Sequence, residues 1–377
     1  MIWLDSAATS FRKPAEVRRA VWRAMECLSS PGRGGYTSAM EAAELLFEAR
    51  CEIGDMFGAA SPEKVVFTSS ATHSLNIAVK SLVGRGDKVV VSGYEHNAVV
   101  RPLHAIGADV RTASSPLFDP EAAIEAFRRE LPGAKAAVCC HVSNVFGYVL
   151  PLDEIAAACR EEGVPLIVDA SQSAGVLPLD MEALGCAFLA MPGHKGLLGP
   201  QGTGVLLCAG EDAAPILEGG TGSESESPDM PLFLPDRLEA GTHNMPGIAG
   251  LLAGVRWIKK QGLAAIREKE KRLRRVLCRE LRQTEGVTLY EATEDDLQTG
   301  VLSLSLSGMD CETAADQLGK RGIAVRAGLH CAPLAHRTAG TFESGTVRMS
   351  VSPFTTEREV LTAAADIRLI AANGSLV

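Results

Sequence analysis

The stretch LAMPGHKGLLGPQGTGVLL, residues 189–207, contains one lysine, Lys195, among glycines, prolines and aliphatic residues. Lysines usually lie on a wet surface, where their charge costs little free energy. Lys195 instead follows the apolar run CAFLAMPG (186–193), with only His194 between them. A desolvated lysine amine is readily neutral and nucleophilic, so this position indicates a functional lysine at the end of a predicted strand.

Apolar runs alternate with amphipathic helices on both sides of this stretch. The runs predicted as strands in the first half are KVVFT (64–68), DKVVVSG (87–93), DVRTAS (109–114), AKAAVCCHVSN (134–144), VPLIVDA (164–170) and CAFLAMPG. This alternation predicts an α/β fold with a mostly parallel central sheet covered by helices on both faces. We expect a large domain at residues 15–250 and a smaller α/β domain formed by residues 1–14 and 251–377. The polar stretch 219–231 predicts a mobile loop.

Composition excludes several classes of partner. The 377 residues carry a net charge of −9, which argues against nucleic acid and anionic membranes as partners. No apolar run approaches the roughly 20 residues that span a bilayer, and the start MIWLDSAATS lacks the order of a signal peptide. The ten cysteines are scattered without a C-x-x-C pair, so neither a metal site nor a disulfide framework is indicated. We expect a cytoplasmic protein in which most thiols are core residues.

Polar residues follow the predicted strands, and ligands of a parallel sheet gather beyond the carboxyl ends of its strands. Taken singly, each has a structural alternative: Ser70 to Thr72 as a helix N-cap, His96 as a core histidine, Asn144 as a turn residue. Asp169 ends an apolar strand, where a buried carboxylate needs a cationic partner. Taken together with Lys195, they are the set that pyridoxal phosphate requires: a lysine, an acid for the pyridine nitrogen and a phosphate site.

The whole chain resembles the class V aminotransferase group of fold-type I pyridoxal-phosphate enzymes, and within it the cysteine desulfurases. The resemblance lies in motifs that occur in family order: LDSAATS, FTSSATHSLN, EHNAVVRPL, HVSNVFG, VDASQSAG, GHKGLLGPQGTGVL, LEAGTHN, RAGLHCAP and VRMSVSPFTT. It implies the fold-type I architecture and conversion of L-cysteine to L-alanine.

The resemblance also implies cofactor-binding residues, which are Ala71, Thr72, His96, Asp169, Gln172, His194, Lys195 and Thr242. Lys195 would carry the cofactor covalently, Asp169 would pair with the pyridine nitrogen and His96 would stack on the ring. Gln172 would bond the phenolate oxygen, while Ala71, Thr72 and His194 would hold the phosphate.

Further roles follow from the same resemblance. Thr242 would reach the phosphate in the partner subunit, which implies a homodimer with shared sites. Asn144 and Arg348 would bind the substrate carboxylate, and Arg326 is assigned to the substrate-binding set with them.

Cys331, in RAGLHCAP, is the third expected catalytic residue beside Lys195 and His96. A single cysteine is a core residue by default. Cys331 differs because His330 is adjacent and Arg326 lies five residues before it, and nearby cations favour the reactive thiolate. In the family a cysteine at this place takes the substrate sulfur as a persulfide. The short loop to Arg348 resembles the subgroup that passes sulfur to an acceptor protein or a reductant.

One residue departs from the family pattern, and three alternatives stay open. Pro192 stands where many desulfurases have a hydroxyl residue that bonds the phosphate. The alternatives are a selenocysteine lyase acting on L-selenocysteine, another class V reaction such as transamination, and a non-catalytic protein on this fold.

Overall fold

The structure is a computed structural model that describes residues 1–32 and 34–374. Its strands are β1 (Ile2–Trp3), β2 (Val65–Thr68), β3 (Lys88–Ser92), β4 (Asp109–Ala113), β5 (Ala136–Cys140), β6 (Leu166–Asp169), β7 (Phe188–Pro192), β8 (Gly204–Cys208), β9 (Val287–Tyr290), β10 (Val301–Leu306), β11 (Ile323–Ala324), β12 (Arg326–Gly328) and β13 (Thr346–Ser350). None of the helices described below is long and apolar enough to cross a membrane.

The α-helices alternate with these strands. They are α1 (Ala15–Cys27), α2 (Thr37–Phe57), α3 (Ala71–Leu82), α4 (Asn97–Ile106), α5 (Pro120–Glu130), α6 (Leu152–Glu161), α7 (Met181–Leu184), α8 (Met245–Gln261), α9 (Leu263–Leu281), α10 (Cys311–Lys320), α11 (Pro333–Thr338) and α12 (Glu357–Gly374). Local sequence sets several of their ends. Helix α2 stops at Gly58, whose φ of 67° is left-handed, and the side chain of Ser70 caps α3.

The central sheet has seven strands in the order β2-β8-β7-β6-β5-β3-β4. Strands β3 to β7 pair in parallel, so the α/β fold with a mostly parallel sheet is confirmed. Strand β8 is antiparallel to both β2 and β7. The sequence pattern does not predict β8, because its five residues follow directly on a glycine-rich turn. It brings the end of the 189–207 stretch back through the sheet beside β2.

A second sheet, of order β12-β13-β10-β9, is entirely antiparallel. It packs on a separate hydrophobic cluster that contains Leu4, Leu273 and Ile367, whereas the strands of the central sheet contribute to two other clusters. Helix α8 crosses the domain boundary predicted at residue 250 and packs on α1 and α2. The two predicted domains stay a prediction. Residues 219–231 contain no helix or strand in the described structure, and their mobility also stays a prediction.

Gly204 opens β8 and lies against the start of α3. A Cβ atom there would lie 2.5 Å from the carbonyl carbon of Ser70 and 2.6 Å from Oγ1 of Thr68. Only glycine permits this approach of β8 to the N-terminus of α3.

We predict that Gly204→Ala lowers the free energy of unfolding by about 1–3 kcal/mol, because backbone must move to admit the methyl group. The measurement is chemical denaturation. Gly210→Ala is the matched control, since its Cβ would meet only the amide nitrogen of Asp212, at 3.9 Å. Equal stabilities of the two variants would refute the packing argument.

Candidate active site

The carboxyl ends of the parallel strands border one cavity of about 230 Å³. Each strand ends in a loop or helix start that turns a polar side chain toward this edge, as expected for a parallel sheet. The predicted site residues that line the cavity are Ala71, Thr72, His96, Asn144, Asp169, Gln172, His194, Lys195, Arg326 and Arg348. Thr242 and Cys331 are the two predicted residues that do not line it in the described part of the chain.

Lys195 lies in this cavity without a fixed partner for its amine. Among the described residues, no hydrogen bond or ion pair of its side chain is found. Burial lowers the pKa of the Lys195 amine to about 8, while the negative charge of Asp169 acts in the opposite direction. The amine is therefore partly neutral near neutral pH and can act as a nucleophile.

Two carboxyl groups interact at this edge of the sheet: Asp169 lines the cavity, whereas Glu95 is buried outside its lining. Asp169 ends β6, and the backbone N–H of Ser171 donates to its Oδ1 at 2.9 Å. Glu95 is completely buried; its Oε1 accepts hydrogen bonds from the hydroxyl of Ser92 and the N–H of Cys140. Burial raises the pKa of Glu95 to about 8, and the charge of Asp169 adds to the increase. With this pKa, the carboxyl group of Glu95 is mostly protonated at pH 7.

His96 is both a cavity residue and the N-cap of α4. The N–H of Ala98 donates to its Nδ1 at 3.0 Å, so the neutral ring carries its proton on Nε2. Burial lowers the pKa of His96 to about 4, although the charge of Asp169 raises it. The ring is therefore a neutral, oriented plane at the cavity wall.

An anion site lies where α3 begins. The N–H groups of Ala71 and Thr72 have no hydrogen-bond acceptor in residues 1–32 and 34–374, and they face the cavity at the positive end of the helix. His194 lines the same side, with its Nδ1 3.0 Å from the hydroxyl of Thr9. Burial lowers the pKa of His194 to about 4. Pro192 lines the cavity without an N–H or a hydroxyl, as the sequence indicated.

A buried guanidinium forms the opposite side. Arg348, on β13, donates from NH1 to the backbone oxygen of Asn144 at 2.9 Å and from NH2 to Oδ1 of Asp5 at 2.7 Å. Its Nε is buried and has no acceptor among the described residues. The side-chain amide of Asn144 donates to the backbone oxygen of His330 at 2.8 Å. The sequence analysis assigned no role to Asp5, although LDSAATS was among the family motifs.

Cys331 lies at the edge of the cavity. Its exposed side chain has its sulfur 3.5 Å from NH2 of Arg326, a residue of the cavity wall. His330 and Cys331 both have left-handed backbones, with φ of 50° and 58°, which costs about 1–2 kcal/mol per residue. The N–H of Asn97 donates to the backbone oxygen of Cys331 at 2.8 Å. The thiol is therefore presented by a short loop that hydrogen bonds fix in place.

His330 does not act on the Cys331 thiol as the sequence suggested. Its Nε2 lies 3.1 Å from the backbone oxygen of Thr346, which can only accept, so Nε2 is protonated and the ring points inward. Burial lowers the pKa of His330 to about 2, and Arg348 adds to the decrease. The ring is neutral, so the positive charge in contact with the sulfur comes from Arg326 and not from His330.

Exposure alone does not single out Cys331. Seven of the other nine cysteines are buried, but Cys51 is half-buried and Cys27, at the end of α1, is exposed. The expectation of a core position was therefore wrong for Cys27. What distinguishes Cys331 is its contact with a guanidinium beside a cavity that also holds Lys195.

Thr242 lines a second cavity, of about 240 Å³, with Ser69 and His73. The loop that carries it is fixed by Glu239, which is buried and pairs with Arg50 and with Nε2 of His243. Arg50 and His243 lower the pKa of Glu239 against the effect of burial. One chain therefore does not bring Thr242 to Lys195.

No group of three or more histidine, cysteine, aspartate or glutamate side chains arranged to hold a metal ion is found in the described residues.

Glu95 and Asp5 are the site residues that sequence reasoning missed. Glu95 precedes His96 directly after a strand, which was a usable signal, but the pairing of Asp5 with Arg348 joins residues 343 positions apart.

Comparison with known proteins identifies the family of the chain. The family model described as aminotransferase class-V matches residues 2–362. A probable cysteine desulfurase of Methanothermobacter thermautotrophicus is 32% identical over 373 residues, covering 95% of this chain and 92% of that protein. A cysteine desulfurase of Yersinia pestis is 30% identical, covering 88% and 84%.

Solved structures give the same result. The apo cysteine desulfurase of Thermococcus onnurineus superposes with a TM-score of 0.91 at 30% identity, covering 99% of this chain and 95% of that one. A cysteine desulfurase of Escherichia coli gives 0.86 at 27% identity, covering 99% and 94%. With a family match over nearly its whole length, the chain belongs to the aminotransferase class-V family.

Proposed function

We propose that the protein is a pyridoxal-phosphate-dependent cysteine desulfurase that converts L-cysteine to L-alanine and holds the sulfur as a persulfide on Cys331. The observation that carries this proposal is the contact of the exposed Cys331 sulfur with Arg326, at the edge of the cavity that contains Lys195. The curated relatives named cysteine desulfurase support the same assignment.

The cavity has the donor set that pyridoxal phosphate needs. The free N–H groups of Ala71 and Thr72 suit its phosphate, Asp169 suits its pyridine nitrogen, and the amide of Gln172 keeps one N–H for its phenolate oxygen. When bound, the cofactor supplies an electron sink that acidifies the α-proton of an amino acid.

Lys195 and Asp169 supply the remaining proton chemistry. A neutral Lys195 amine would hold the cofactor covalently and would move the α-proton of the substrate as a general base. Asp169, which lines the cavity, would hold a proton on the pyridine nitrogen. The neutral His96 ring gives a flat surface for stacking, with its Nε2–H free to donate.

Arg348 and Asn144 bind the substrate carboxylate. The guanidinium of Arg348 has N–H groups left after its bonds to Asp5 and Asn144, including the buried Nε. A carboxylate that reaches them forms charge-assisted hydrogen bonds in a water-poor site.

Cys331 takes the sulfur. Its sulfur, which contacts Arg326, attacks the sulfur of bound L-cysteine as a thiolate, so an S–S bond forms while the Cβ–S bond breaks. The electron pair of the broken bond goes to the substrate carbon, which gains a proton and leaves as L-alanine. A persulfide remains on Cys331, and an acceptor protein or a reductant must remove it.

We also propose a homodimer with Thr242 acting in the partner's site. Helices α1 and α2 and the loop between them expose large apolar side chains, namely Trp22, Met25, Tyr36, Met40 and Phe47. Apolar surface of this kind favours an interface with a second copy. A cytoplasmic location is proposed because all ten cysteines are free.

The first prediction concerns covalent attachment. Pyridoxal phosphate added to the purified apoprotein should attach to Lys195 about tenfold faster at pH 9 than at pH 7, because the amine with a pKa of about 8 deprotonates in this range. Borohydride reduction followed by intact mass spectrometry measures the attachment. Lys195→Ala should gain no mass at this position, and modification of another lysine at the wild-type rate would refute the assignment.

The second prediction concerns the nucleophile. Cys331→Ala should still bind pyridoxal phosphate and L-cysteine, as read by visible absorbance, but should lose L-alanine formation by about a hundredfold or more. Cys27→Ala, the other exposed cysteine, is the control and should keep wild-type activity. Alanine production by Cys331→Ala at the wild-type rate would mean that Cys331 takes no part.

A comparison of two substrates separates the alternative reactions. Wild-type protein is given L-cysteine and L-selenocysteine in parallel, and alanine is assayed from each. A desulfurase makes alanine from cysteine only while Cys331 is present. Alanine formed from selenocysteine but not from cysteine would identify a selenocysteine lyase. Transfer of the substrate amino group to a keto acid would identify a transaminase.

The third prediction concerns the dimer. Lys195→Ala and Thr242→Val should each be impaired, but mixing and re-equilibrating them should raise activity, because hybrids regain one site with both residues intact. Light scattering measures the oligomeric state. A monomer at working concentration, or no gain on mixing, would contradict a composite site.

A further inference from the structure

The N-terminal segment, residues 4–10, contacts three sides of the candidate active site. Asp5 accepts a hydrogen bond from Arg348, and the backbone oxygen of Ala7 accepts one from the side chain of Gln172 at 3.0 Å. The hydroxyl of Ser10 donates to the backbone oxygen of His194 at 2.9 Å. This segment therefore joins residues that lie far apart in the sequence.

Asp5 is the ionic partner of the buried Arg348. The side chain of Arg348 is 1% exposed and that of Asp5 is 16% exposed. In the described residues Asp5 is the only carboxylate in an ion pair with Arg348, whose other acceptor is the neutral backbone oxygen of Asn144. Removing one member of such a pair leaves a buried charge without compensation.

Asp5 binds Arg348 without lining the cavity. Arg348 and Asn144 line the cavity, whereas Asp5 does not line it among the described residues. Asp5 occupies NH2 of the guanidinium and the backbone oxygen of Asn144 occupies NH1, while the buried Nε has no acceptor in the described residues.

The backbone fixes this geometry. Asp5 forms a parallel bridge with Ser350, two residues after Arg348 on β13. The N–H of Ser350 donates to the backbone oxygen of Leu4 at 2.7 Å, and the N–H of Ser6 donates to that of Ser350 at 3.3 Å. Asp5 and Arg348 are thus held on adjacent, hydrogen-bonded backbone.

We propose that Asp5 is a positioning residue that holds Arg348 in the orientation that binds the carboxylate of an amino-acid substrate. This inference rests on the proposed function. Without the Asp5 charge, the guanidinium turns away to find another anion or water, and the affinity for carboxylate-bearing ligands falls. Ligands without a carboxylate are unaffected.

The test uses L-alanine and ethylamine, which differ only by the carboxylate and contain no sulfur. Each is titrated into holoenzyme, and the dissociation constant is read from visible absorbance. Asp5→Asn should weaken L-alanine binding about tenfold, the value of one charge-assisted hydrogen bond, and change ethylamine binding less than about twofold.

Two further variants separate positioning from general loosening. Glu359→Gln is the matched control, because it breaks the ion pair of Glu359 with Arg12 near the same segment without touching Arg348; it should leave both constants unchanged. In protein that already carries Arg348→Ala, Asp5→Asn should raise the dissociation constant of L-alanine by less than about twofold, because the effect of Asp5 depends on Arg348. If Asp5→Asn does not fold, Asp5→Glu keeps the charge and should weaken L-alanine binding alone by a smaller factor.

The outcomes distinguish the two levels of inference. A wild type whose absorbance responds to neither amine overturns the proposed function and, with it, the role of Asp5. A responsive wild type with an unchanged L-alanine constant in Asp5→Asn and Asp5→Glu overturns Asp5 alone. Equal weakening of L-alanine and ethylamine, or an additive effect in Arg348→Ala, also overturns it.

Discussion

The uncompensated amine of Lys195 is the constraint around which the site is arranged. Its side chain has no hydrogen bond or ion pair in the part of the chain that the structure describes, and burial lowers its pKa to about 8. A buried amine without a hydrogen-bond partner is costly when it is charged, so charges farther away must offset part of this cost. The charge of Asp169 acts against the decrease in the pKa of Lys195. The sheet edge thus brings a carboxyl group and a reactive amine into one cavity.

Much of this arrangement could be predicted from sequence because parallel strands bring their ends together. Asp169, His96 and Lys195 each follow an apolar run, so their meeting in one cavity followed from the alternation alone. Their roles came from the family resemblance rather than from spacing. Strand β8 was missed because its five residues follow a glycine-rich turn and are too few and too uniformly apolar to show the spacing typical of a helix or a strand.

Other features depended on three-dimensional contacts that no local pattern contains. His330 is neutral because its ring is buried against Thr346. Although His330 is next to Cys331 in the sequence, its ring therefore points away from the thiol. Glu95 is completely buried, and burial raises the pKa of its carboxyl group to about 8. No local sequence pattern predicts this desolvation, because it results from the packing of the folded chain.

The contact between Asp5 and Arg348 has a consequence for the order of folding. It joins residues 343 positions apart, so the carboxylate site cannot close until β13 has been synthesised. All strands of the central sheet, residues 65–208, precede β13 in the chain. Loop closure over such a length costs only slightly more than over a shorter one, because the entropy grows with the logarithm of length. The long separation therefore delays the contact between Asp5 and Arg348 but adds little to its entropic cost. A nascent chain that ends before Arg348 would contain Lys195 but would lack the guanidinium that binds the substrate carboxylate.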